Sequence, residues 1–218
     1  MRLEINGYKD QIPNSLFGAD DSSEHLGIIF PGVGYSSQMP ALYYPTEVLL
    51  ALGADVLRLD HHYQRSDFQT LPDEEKTRWL EADALAVLKA ALAVKDYIRL
   101  TFVGKSIATV ALARILAELE SLDNAAFIWL TPLLKRAGFK ETIAQYPHKA
   151  LFVIGSDDQH YDAALLEQIR ASTDGQVLLV KGAGHSLEIK GDVGASVRVQ
   201  RQIVMALERF IAPAPSTP

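Results

Sequence analysis

Cysteine is absent from this 218-residue chain. That removes a disulfide framework, a thiolate metal site and a cysteine nucleophile together. Clustered positive charge is missing as well: 21 lysines and arginines stand against 27 aspartates and glutamates, a net charge of −6, and no basic run occurs. Phosphate backbones are bound by clustered Lys and Arg, so no nucleic-acid partner is expected. No apolar run approaches the ~20 residues that span a bilayer. The opening MRLEINGYKDQ also has no apolar stretch of the kind that a secretory signal carries. The expectation is therefore a cytoplasmic protein with no membrane partner.

What is present is ordinary for a globular chain: 48% hydrophobic and 22% charged residues. Short apolar runs at 26–30, 55–59, 99–103, 126–130, 150–154 and 177–180 are rich in Val, Ile, Leu and Phe. They alternate little, as parallel strands covered on both faces do. Helical stretches fall between them, near 40–52, 73–96, 107–121, 139–146, 161–172 and 192–211. Pro72 and the acidic DEE at 73–75 suit a helix N-terminus, and Gly53 suits a helix end. This alternation predicts an α/β fold, a mostly parallel central sheet with helices on both faces. The first 25 residues have room for one or two edge strands, although Pro13 and a polar stretch at 18–24 weigh against them. A single domain over 1–211 is expected, followed by a disordered tail at 212–218, APAPSTP.

In sheets of this type, functional residues gather just after the strands' carboxyl ends. Four such junctions carry chemistry. In TFVGKSIA (101–108) a strand runs into GKSIA and then into helix, which puts Ser106 on a tight strand-to-helix turn. The positions two before and two after the serine must be small. Gly104 satisfies this, and Ala108 stands where a second glycine is usual. The alternative is a plain surface-loop serine. In FPGVGYSS (30–37), Gly32 and Gly34 let amides face a common point, and the amides of Val33 and Ile107 are the candidate oxyanion donors. Pro31 stands where a histidine is usual, so the register is open by one residue, and an ordinary β-to-α turn competes. In LFVIGSDD (151–158) a strand ends in two aspartates. Asp158 is the candidate acid and Asp157 the reserve, unless one of them caps the following helix. In VLLVKGAGH (177–185), small residues present His185 as a candidate general base.

Serine, acid and histidine thus occur in that order, each directly after its own strand, with a glycine turn after an earlier one. The pattern resembles the α/β-hydrolase superfamily from about residue 26 to 211, and is most similar to its small, capless, dienelactone-hydrolase-like members. The resemblance implies an α/β-hydrolase fold with no large cap domain and a serine esterase, thioesterase or amidase-like activity on a small-molecule acyl substrate. It implies Ser106 as nucleophile, His185 as proton shuttle and Asp158 as its orienting acid, with no cofactor and no metal. Pro31 and Ala108 depart from the usual pattern and bear on the oxyanion geometry.

Only about twenty residues separate the strands at 126–130 and 150–154, where larger relatives insert a lid, so an open, shallow site is expected. Trp129, Thr131, Pro132 and Leu133 are expected along one wall, and Gly34, Tyr35, His61 and Tyr63 along another. Lys105, beside the nucleophile, is either a contact for an anionic substrate or a solvated surface lysine. Other readings explain less. A phosphate loop would need glycine at position 99, which is Arg. A dinucleotide site built on Gly32, Gly34 and Asp60 meets Ser37 in place of its third glycine and leaves the Ser–Asp–His set unexplained. Adjacent His61 and His62 on a strand end point to opposite faces and cannot readily share a metal. A binding protein on a catalytically decayed hydrolase scaffold remains the principal alternative.

Overall fold

The computed structural model describes residues 1–18, 22–60 and 63–212. The His61–His62 pair and the tail beyond Ala212 lie outside them. In chain order the elements are β1 (Asn14–Phe17), β2 (His25–Phe30), α1 (Pro40–Ala51), β3 (Asp55–Leu59), α2 (Ser66–Gln69), α3 (Asp73–Leu92), β4 (Arg99–Lys105), α4 (Ala108–Glu118), β5 (Ala125–Leu130), α5 (Phe139–Ala144), β6 (Lys149–Gly155), α6 (Ala163–Ala171), β7 (Asp174–Val180) and α7 (Val193–Ile211). The strands form one seven-stranded sheet in the order β1-β3-β2-β4-β5-β6-β7. All neighbours run parallel except β1, which pairs antiparallel with β3 at the edge.

Side-chain alternation along each strand sends one set to each face. Phe102, Phe127, Trp129, Phe152 and Ile154 pack on one side with residues of α3, α4, α5 and α6. Val103, Ile128, Leu130, Leu151 and Val153 pack on the other with α1 and α7. Burial on both faces explains the unbroken apolar runs. The first face is tied by an aromatic row. Phe102 stacks on Phe127 at 4.9 Å between centroids, Phe127 on Trp129 at 5.8 Å, and Trp129 on Phe152 at 6.1 Å. Each such side chain contributes roughly 1.5–3 kcal/mol on burial.

Local chemistry sets the ends. Pro40 opens α1, where its missing N–H is no loss, and Gly53 follows that helix at φ +77°. Asp73, Glu74 and Glu75 occupy the first turn of α3, where the helix dipole favours negative charge. The short α2 was not foreseen, and α3 and α4 end sooner than their sequence pattern suggested, at Leu92 and Glu118. The strand order reverses direction at β2, which has β3 on one side and β4 on the other. That switch point opens a crevice at the strands' carboxyl ends. It sets the turn after β2 beside the turn after β4.

Candidate active site

Register fixes the neighbourhood first. Phe30 pairs with Gly104, so the turns leaving β2 and β4 start side by side. A β-carbon on Gly32 would lie 3.2 Å from the Lys105 carbonyl oxygen and 3.5 Å from the Ser106 Cβ. Gly32 thus brings the 31–35 turn against Ser106. Gly34 takes φ +63°, and it and Val33 are exposed. The amides of Val33 and Ile107 have no hydrogen-bond partner among the described residues. Pro31 is buried and the turn closes without the usual histidine, by mutual backbone hydrogen bonds between Gly32 and Tyr35.

Ser106 is held at φ +56°, a left-handed conformation that costs a non-glycine residue on the order of 1–3 kcal/mol. Its amide donates to the Leu130 carbonyl at 2.9 Å, which ties the elbow to β5. The small positions are needed. A β-carbon on Gly104 would meet Leu112 Cδ1 at 2.7 Å and the Ala108 carbonyl at 3.2 Å. The methyl group of Ala108 is accommodated and fully buried, so the missing second glycine does not disturb the turn.

The histidine and the acid arrive from the far side. His185 Nε2 lies 2.8 Å from Ser106 Oγ, and Nδ1 lies 2.8 Å from Asp158 Oδ2. An ionised carboxylate only accepts, so Nδ1 carries the proton and Nε2 is free to accept from the serine hydroxyl. Asp158 is buried, and its Oδ1 accepts from the His160 amide at 2.9 Å. Burial works to raise the Asp158 pKa, but hydrogen bonds from His185 and His160 outweigh it and hold the carboxyl below its ordinary value. Asp157 is exposed and bonded to Ser156, so the reserve acid stands outside the relay. Neither aspartate caps the next helix; Asp162 does, accepting from the Leu165 amide at 3.0 Å.

Several expected wall residues lie elsewhere. Trp129 is fully buried in the aromatic row, because β5 is covered on both faces. Tyr63 is buried with Phe68 and Trp79, and its hydroxyl donates to Asp83. Tyr35 is buried as well; its hydroxyl accepts from the Ala41 amide at 3.0 Å, and burial raises its pKa to about 12. Thr131 and Pro132 are buried, while Leu133 and Ile107 are half-buried. Lys105 is neither a solvated lysine nor an exposed anion contact, because β4 continues through it and carries its side chain under the site, 1% exposed. Asp60 accepts from Ser15 and Ser37, a structural use of the acid that the dinucleotide reading assigned to a ribose.

His160 was missed by sequence reasoning. Its ring lies 5.4 Å from that of His185, and burial with the neighbouring imidazole lowers its pKa. Its place two residues after Asp158 was the available signal. Among the described residues no group of three or more metal-ligating side chains gathers, and no helix is long and apolar enough to cross a membrane.

No protein-family model matches the chain, and no curated protein is similar to it in sequence. Solved structures are similar in shape. Est1E from Butyrivibrio proteoclasticus, with ferulic acid bound, superposes with a TM-score of 0.70 at 16% identity, over 92% of this chain and 94% of its own. A serine hydrolase without a lid from Xanthomonas campestris gives 0.71 at 16% identity, over 99% and 95%. An esterase from Pyrococcus furiosus gives 0.72 at 14% identity, over 95% and 90%. The chain has the α/β-hydrolase fold, in the small form without a cap domain.

Proposed function

We propose that the protein is a serine hydrolase that cleaves a small ester, thioester or related acyl substrate through an acyl-enzyme intermediate. The observation that carries this reading is the unbroken relay from Ser106 Oγ through both nitrogens of His185 to the buried Asp158 carboxylate. A left-handed serine at a strand-to-helix turn has no structural need for such a relay, and a solvated loop histidine would not be held at both ends.

In this mechanism Ser106 Oγ attacks the acyl carbon while His185 Nε2 takes its proton. The amides of Ile107 and Val33 receive the negative charge that develops on the acyl oxygen, and each such donor contributes a factor of about 10²–10³ in rate. The tetrahedral intermediate collapses, the bond to the leaving group breaks, and His185 returns the proton to that group. Water then repeats the sequence on the acyl-serine. Asp158 stays ionised throughout, holding the Nδ1–H tautomer and stabilising the imidazolium. The exposed turn at Val33 and Gly34 and the absence of a cap favour small or solvent-facing acyl groups. The solved structures of esterases and serine hydrolases on the same fold support the reading.

Steady-state hydrolysis of short-chain p-nitrophenyl esters and matching thioesters tests it. The wild type should turn over at least one series, and Ser106→Ala should lower kcat by several orders of magnitude. Equal rates in the two proteins would refute the assignment.

A further inference from the structure

Lys105 precedes the nucleophile, yet it is among the most completely buried side chains of the chain, 1% exposed. Alternation along β4 sends it to the same face as Val103, towards Tyr35 and the loop that carries His185. Its ammonium donates to the His185 carbonyl oxygen at 2.7 Å and to Thr131 Oγ1 at 3.0 Å. It also lies 4.6 Å from the centroid of the Tyr35 ring. Burying an ammonium is costly, and an apolar side chain would fill the same space without that cost. The lysine's partners show what it adds. Thr131 follows β5 at φ +45°, Tyr35 closes the turn bearing Val33 and Gly34, and His185 is the proposed base.

We propose that Lys105 is a positioning residue, whose ammonium fixes the His185 peptide relative to β4 and so aims the imidazole at Ser106. This rests on the serine-hydrolase reading. Other bonds hold the rest of that loop to α7: Gln200 Nε2 donates to the Leu187 carbonyl, and Ser196 Oγ accepts from the Ile189 amide. Neither touches His185. The lysine acts at the residue whose orientation matters, and it is bonded in sequence to the nucleophile. Burial pulls its pKa down to about 8, while the charges of Asp158 and Glu188 act to keep its proton. A displacement of the imidazole of about 1 Å can cost roughly 10² in rate.

The test compares wild type, Lys105→Met and Thr131→Val in the full chain, with p-nitrophenyl acetate as substrate and a fluorophosphonate as active-site label. Lys105→Met should lower kcat and the labelling rate by about 30- to 100-fold, with KM within about twofold and a melting temperature at or above wild type. Thr131→Val, which removes one acceptor, should lower kcat by a smaller factor and melt normally. Wild-type kcat in a folded Lys105→Met protein, or a lower melting temperature with kcat intact, overturns the proposal. If Lys105→Met does not fold, Thr131→Val decides, and a kcat equal to wild type overturns it. If the wild type neither turns over nor labels, it is the hydrolase reading that fails. The His185 Nδ1 proton resonance then tests the positioning alone: it should shift or broaden in Lys105→Met, and an unchanged resonance overturns the proposal.

Discussion

The carbonyl oxygen of Ala183 occupies the space that a β-carbon on residue 155 would need, so only glycine at the end of β6 lets the His185 loop lie across it. The contact is sealed by the Asp157 amide, which donates to the same carbonyl at 3.0 Å. This packing brings together the loops that carry Asp158 and His185. Gly155→Ala should therefore lose both stability and activity. A fall of about 3 kcal/mol by urea denaturation is expected from overpacking against backbone that cannot yield, and kcat should drop at least about 10²-fold. Normal activity at reduced stability would show that the two loops are aligned by something else.

Asp158→Asn keeps the shape of the acid and removes its charge. An amide can donate to His185 Nδ1, which favours the tautomer with the proton on Nε2, where it cannot accept from Ser106. The expected loss is about 10⁴ in kcat at neutral pH, with the fold preserved by circular dichroism.

His25 should contribute to acid sensitivity. It is buried beside Thr101, whose Oγ1 lies 2.9 Å from its Nε2. Burial first, then the charges of Arg99 and Lys149, lower its pKa to about 4. Unfolded, this imidazole takes its proton near pH 6.5; folded, it resists until about pH 4. Its contribution is therefore complete above pH 6.5 and is lost as the pH falls to 4, on the order of 3 kcal/mol. Urea midpoints across this range should fall more steeply in wild type than in His25→Gln.

Lys105 acts at the alkaline end. Its folded pKa of about 8 lies below the ordinary 10.5. Between these values the unfolded chain binds the extra proton, so stability rises with pH through that window. The gain is on the order of 3 kcal/mol. Relative to Lys105→Met, the wild type should become more stable from pH 8 to pH 10. Parallel curves would mean that the lysine is not held at a depressed pKa.

Much of this was legible because residue identity alone constrains it. Apolar runs without alternation require a sheet covered on both faces, and the Ser, Asp and His junctions each sit just after a strand, where an open α/β sheet carries its site. The rest depended on side-chain direction and strand length. Lys105 reads as a surface residue unless β4 is known to run two positions further, and Trp129 reads as a wall until β5 is seen to be central. Tyr63 lies in a separate aromatic cluster formed with α2 and α3, and α2 has too few residues to leave a periodic pattern. His160 has no motif of its own: its place two residues after Asp158 only hints at the site, and its ring beside His185 supplies the meaning.

The most direct measurement is fluorophosphonate labelling of the wild-type protein and Ser106→Ala, with the modified peptide located by mass mapping. Labelling confined to the peptide that contains Ser106, and lost in the alanine variant, is the predicted result. A folded protein that takes no label, or one labelled equally in both forms, would contradict the account and favour a binding protein on a hydrolase scaffold.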